Sequence, residues 1–232
     1  VAFASDILRY GGIILPLIAL ILLACGPLTR YFPLFLYLFS LIATTVAETW
    51  AIWKVGVRDP LYFNIYWGGE FLLDLLMFFL VISLTSRALE GSPLRPKVAR
   101  LMTVITLIAL AAPFIIFDSE VFGRHWNQSV GQLFNFGAAL MNMALWSALV
   151  LAKRRDRQLL IVSAGLGVTV AAAALTLGVR QFTAQDDGFR TVVDWVHRLS
   201  QCVGPLMWCY AFRPPRPSVS LTTPADPTPH AS

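Results

Sequence analysis

Apolar residues gather in seven runs along the chain, near 8–26, 31–53, 61–85, 98–117, 128–152, 158–179 and 190–212. Each approaches the roughly 20 residues that a helix needs to cross a hydrocarbon core about 30 Å thick. Short polar connections separate them, such as GPLTR at 26–30 and KRRDRQ at 153–158. The pattern predicts an all-α polytopic membrane protein, with residues 1–212 forming one seven-transmembrane-helix bundle. Neither a second domain nor an internal repeat is evident. Residues 213–232 contain six prolines and few large apolar groups. They cannot bury enough surface to offset chain entropy, and are expected to form a Pro-rich disordered cytoplasmic tail.

The polar residues inside the apolar runs are the informative exceptions. The third run contains LYFNIYWGGEFLLDLL at 61–76, where Tyr66, Glu70 and Asp74 fall within about 80° on a helix. Glu70 would lie about 14 Å and Asp74 about 20 Å from the start of that helix. On the seventh helix, Asp194, His197, Arg198 and Gln201 cover about 100°, and Asp194 can pair with Arg198 along it. On the fifth, Gln128, Gln132, Asn135 and Asn142 share a face about 80° wide. Glu48 adds an acid near the end of the second.

An ionised residue at bilayer depth costs about 2.5–3.5 kcal/mol, so such residues turn to the bundle interior and find partners. Arg198, estimated at nearly the same depth as Glu70, can equally reach across to it. Glu48, Tyr66, Glu70, Asp74, Gln132, Asn135, Asp194, His197, Arg198 and Gln201 are thus the expected ligand-binding set, in the outer half of the bundle. The plainer alternative is that these groups only fix helix register.

Composition agrees with the pattern: 57% of residues are hydrophobic and 13% charged, too few polar groups to cover a water-soluble globule. Alternating loops place eleven Lys and Arg residues on the side of Arg30, Arg87 and Lys153, and six on the side of Lys54 and Arg124. That bias predicts an outside N-terminus and a cytoplasmic C-terminus in a bacterial inner membrane. The net charge of +5 sits in short loops at helix ends, where anionic lipid explains it and nucleic acid need not be invoked. Arg9 followed by GIILPLIALILLACG resembles a signal peptide, with LLAC at 22–25 similar to a lipoprotein signal acylated on Cys25. Cleavage there would put the KRRDR loop on the wrong face, so the first run is expected to remain as a helix.

Absences prune the chemistry. Lysine-linked retinal needs an amine in the bundle, and Lys54, Lys97 and Lys153 all fall in loops or at helix ends. One intramembrane histidine cannot supply both axial ligands of a bis-histidine haem. Cys25, Cys202 and Cys209 show no metal spacing and are expected to be packing residues. No nucleophile elbow or phosphate-binding loop occurs, and the chain is not expected to be an enzyme. The small residues of SAGLGVTVAAAALTLG at 163–178 predict close helix packing. Pro16, Pro33 and Pro113 are candidate kinks.

The segment RDPLYFNIYWGGEFLLDLLMFFLVISL, preceded by RYFPLFLYLFSLIA, resembles a group of small bacterial seven-helix integral membrane proteins of acidobacterial type. The shared YF…YW…E signature matches Tyr62, Phe63, Tyr66, Trp67 and Glu70 here. Similar members carry a second glutamate near the inner end of the third helix, where this chain reads VISLTSRALE. The resemblance implies a membrane location and no particular activity. The functional expectation is a sensor or accessory subunit that binds a small molecule or lipid and meets a protein partner at its basic cytoplasmic loops. A proton- or ion-coupled transporter and a structural subunit of a respiratory or photosynthetic complex are the alternatives.

Overall fold

A computed structural model describes residues 2–93, 95–116, 124–151, 156–182 and 187–213. Seven helices form: α1 (Ala2–Ala24), α2 (Phe32–Val55), α3 (Pro60–Ala88), α4 (Arg95–Ile116), α5 (Arg124–Leu151), α6 (Arg157–Phe182) and α7 (Asp187–Phe212). Among the described residues no other regular element occurs, and the chain is all-α. Among the described residues three helices are long and apolar enough to cross a membrane: α2, α3 and the Arg157–Thr176 part of α6. The shorter Tyr10–Ala24 part of α1 is apolar as well. The proline-rich tail beyond Arg213 and the KRR sequence at 153–155 lie outside the described residues.

Local chemistry sets the helix ends. The Asp59 carboxylate accepts the Leu61 N–H at 2.8 Å and Pro60 opens α3, so one first-turn donor is satisfied and a second is absent. Asp156 accepts from Gln158 and Leu159 N–H at 3.0 and 3.2 Å, capping α6 in the same way. Gly56 closes α2 with φ of 86°, a conformation that costs an L side chain strain. Pro33 stands in the first turn of α2, where its missing N–H is harmless, and not at the kink expected from the sequence. Pro16 does lie inside α1, as does Pro205 inside α7.

Neighbouring contacts close a ring in the order α1, α2, α3, α5, α6, α7 and back to α1, with α4 outside it against α3 and α5. The tightest seam joins α6 and α7. A Cβ at Gly204 would clash with Thr169 Oγ1, and one at Gly165 would come within 2.7 Å of Trp208 Nε1. Small residues on both helices therefore permit the approach that the 163–178 sequence predicts. Trp208 fills the space beside them and donates from Nε1 to Val162 O at 3.0 Å, which satisfies its buried N–H. Across the interior its ring meets Tyr37 of α2 edge-on, with centroids 6.2 Å apart. Phe134 of α5 packs on Phe71 and Phe78 of α3 at 5.7 and 5.6 Å.

The outer surface is apolar in helical stripes. Val192, Val196, Leu199, Val203, Leu206 and Tyr210 of α7 are all exposed, at steps of three and four residues. Ile14, Leu17, Ile18 and Ile21 of α1 and Val104, Leu107 and Ile108 of α4 do the same. The loops at 25–31 and 89–93, together with Asp156, gather at one end of the bundle, here termed the arginine-rich end. Asp59 and the loop at 56–59 mark the opposite end.

Candidate functional site

The polar stripe of α3 becomes a site because of what α2 and α5 bring to it. On α2, Tyr37, Thr44 and Glu48 recur at seven- and four-residue steps and so share a face within about 40°. That face lies on α3 at Gly69, where an added Cβ would sit 3.0 Å from Thr44 Cγ2 and 3.8 Å from Glu48 Oε1. Only hydrogen at Gly69 lets the two helices meet this closely, and the approach brings Glu48 beside the residue preceding Glu70. Asp74 follows Glu70 by one turn on the same face of α3. Tyr37 is buried on the face of α2 that also carries Thr44 and Glu48.

From the other side, α5 supplies an amide. Asn135 Nδ2 donates to Gly131 O at 2.8 Å and makes a longer contact of 3.4 Å with Asp74 Oδ1. Gly131 is close by, since a Cβ there would lie 4.0 Å from Asp74 Oδ2. Tyr66 is half-buried one turn before Glu70, stacked on Tyr62 at 6.1 Å and edge-on to Trp67 at 5.2 Å.

Of the ten site residues expected from sequence, the structure brings together Glu48, Tyr66, Glu70, Asp74 and Asn135. The side chains of Gln132, Asp194 and His197 lie outside the described residues. Gln201 is half-buried on α7. Arg198 is exposed on the same helix. Among the described residues α7 packs on α1 and α6 and makes no contact with α3, so the expected pairing of Glu70 with Arg198 is not formed. The physical reason is the ring order: periodicity places both residues on polar faces at similar depth, yet α7 neighbours α1 and α6 whereas α3 neighbours α2 and α5.

Tyr37 and Thr44 belong to this neighbourhood and were not singled out by sequence, whereas Tyr62 was named only as part of the aromatic signature. The signal was present, since Tyr37, Thr44 and Glu48 lie on one face of α2, but a tyrosine and a threonine in an apolar run read as ordinary packing.

Chemically, three carboxylates approach one another with a phenol and an amide for company. Arg30 pairs with Asp156 at the other end of the molecule, and among the described residues no cation pairs with Glu48, Glu70 or Asp74. No described group of His, Cys, Asp and Glu has the arrangement of a metal site. A cluster of this kind offers carboxylate acceptors to a positively charged guest or to protons. No protein-family model matches the chain, and no curated protein or solved structure matches it.

Proposed function

We propose that this chain is a multi-pass inner-membrane protein whose outer-half carboxylate cluster binds a small, positively charged molecule, and that it acts as a sensor or accessory subunit through a protein partner. The apolar stripes on α1, α4 and α7 support contact with lipid. The excess of Lys and Arg at the arginine-rich end supports a cytoplasmic position for that end and an outside N-terminus. The carrying observation is the meeting of Glu48 with Glu70 and Asp74 across the Gly69 contact, without a cation among the described residues to balance them.

Burying like charges together is costly unless something compensates them, and the compensating species is then a ligand. Tyr62, Tyr66 and Trp67, packed on one another in the turns of α3 before Glu70, suit a cationic guest, because aromatic faces attract positive charge. The basic loops at the other end supply the surface for the partner. Native mass spectrometry of gently solubilised protein tests the reading. A low-mass cationic species should ride on the wild type and be absent from Glu70→Gln and Asp74→Asn. Equal occupancy in the wild type and in Glu70→Gln would remove the cluster as a binding site.

A proton- or ion-coupled carrier is the second reading, favoured by acids spread over two helices from Glu48 to Asp74. It requires uptake into proteoliposomes that follows a pH gradient and disappears in Glu70→Gln.

A further inference from the structure

At the arginine-rich end the ends of α2, α3, α5 and α6 and the start of α4 enclose a cavity of about 590 Å³. Its charged lining consists of Arg30, Arg87 and Arg95 against Glu90 and Asp156, three positive charges against two negative. The acids are not equally available. Asp156 is committed twice over, as the cap of α6 and as the ion-pair partner of Arg30. Glu90 is exposed. Arg95 donates through Nε to Ser86 Oγ at 3.1 Å, which fixes the guanidinium without neutralising it.

Arg87 is the telling residue. Its guanidinium lies 5.4 Å from the centre of the Tyr31 ring, and Arg30 lies 5.6 Å from the same ring. Two cations on one aromatic ring repel each other, an arrangement that an anion between or beside them relieves. Among the described residues, buried Arg87 Nη1 has no hydrogen-bond acceptor, and the buried Tyr31 hydroxyl has no partner either. A buried guanidinium donor that lacks an acceptor is costly, and a protein retains one where a ligand supplies the acceptor.

We infer that this cavity is a binding site for a phosphate-bearing anion, held by Arg87 and Arg95 with Arg30 at its edge. The planar guanidinium fork matches phosphate oxygens in pairs, which a lysine cannot do. A single phosphodiester charge would balance the one net positive charge of the lining. The position, among helix ends on the side richest in Lys and Arg, suits a phospholipid headgroup, and the same chemistry would accept free phosphate. This site is separate from the carboxylate cluster and does not depend on the function proposed for it.

The test uses the full chain in mild detergent, with phosphatidylglycerol, phosphatidylcholine and inorganic phosphate as probes and native mass spectrometry as the readout. The wild type should take up one saturable equivalent of phosphatidylglycerol or of inorganic phosphate, and phosphatidylcholine should not displace it. Uptake of the lipid alone assigns a headgroup site, and uptake of inorganic phosphate without lipid assigns a soluble ligand. Arg87→Gln should weaken that uptake by about tenfold or more, the loss of one charge-assisted contact. Because Arg87 also packs on Tyr31, Arg95→Gln provides a second variant at an exposed position and should weaken uptake severalfold. Arg100→Gln, exposed on α4 and outside the lining, should leave it unchanged. Uptake indifferent to both Arg87→Gln and Arg95→Gln, or lost equally in Arg100→Gln, would overturn the proposal.

Discussion

At the arginine-rich end, Asp156 serves Arg30 and two backbone N–H groups at once, and Arg87 lies over the face of Tyr31. Some helical turns away, Glu48 of α2 stands beside the turn of α3 that carries Glu70, with Asp74 one turn further along and near the Asn135 amide. Both regions bring charge into contact with apolar helices. In the first, opposite signs interleave, and most of the compensation is internal to the chain. In the second, acids collect, and no described cation pairs with them. The contrast separates a mixed-sign end, where one guanidinium edge is left over, from a cluster of like sign, and it predicts opposite responses to neutralisation.

The largest effect is expected at the carboxylates. Replacing them with amides in Glu70→Gln/Asp74→Asn removes the demand for a counter-charge while keeping an oxygen for the Asn135 contact. Thermal unfolding in detergent without added ligand should show the double variant more stable by about 1–3 kcal/mol, the usual scale for relieving an unsatisfied buried polar group. Ligand occupancy should fall in the same variant. A protein that becomes both less stable and unchanged in binding would make the acids part of the framework after all.

The opposite sign is expected at Asp156. Asp156→Ala removes the α6 cap, worth about 1 kcal/mol, and the pairing with Arg30, worth no more than about 1 kcal/mol at this exposed position. The same unfolding measurement should therefore place it lower than the wild type by about 1–2 kcal/mol. Asp156→Asn keeps a capping oxygen and gives up only the charge, so it should fall between the two. If Asp156→Asn loses as much as Asp156→Ala, the ion pair and not the cap holds this end of α6.

The two regions also differ in how far a sequence can disclose them. The helices were legible, since runs such as 61–85 correspond to Pro60–Ala88 and 190–212 to Asp187–Phe212. The stripe of Tyr66, Glu70 and Asp74 was legible too, because a helix places every third and fourth residue together whatever surrounds it. Depth could be counted at a fixed rise per residue. Azimuth around the bundle could not, and so Arg198 was placed within reach of Glu70 although α7 and α3 are not neighbours in the ring. The arginine cavity was less accessible still. Arg30 and Asp156 are 126 positions apart, and as loop residues they carry no period that would point one at the other. Their meeting is a product of ring closure, which depends on side-chain packing such as that of Trp208 between α6 and α2.

The smallest effect at neutral pH is expected from Tyr31→Phe, and its value lies in the alkaline range. Among the described residues the phenol hydroxyl has no hydrogen-bond partner, so its removal should change stability by no more than about 1 kcal/mol. Burial, aided by the Asp156 carboxylate and opposed by Arg30 and Arg87, pushes the Tyr31 hydroxyl up from 10.0 to about 12. A raised value means that the fold favours the neutral phenol. Its contribution is complete below pH 10, where the unfolded phenol is still protonated, and is lost as pH rises from 10 toward 12. By pH 11 the wild type should have lost about 1 kcal/mol relative to Tyr31→Phe. Unfolding curves for the two proteins at pH 8, 10 and 11, in the same detergent, isolate this residue from the other tyrosines and lysines that titrate in both. If the curves keep a constant separation across that range, the hydroxyl reaches solvent. The tight seal that Arg30, Arg87 and Phe212 make around the ring would then be absent, and with it the buried donor pair on which the anion site depends.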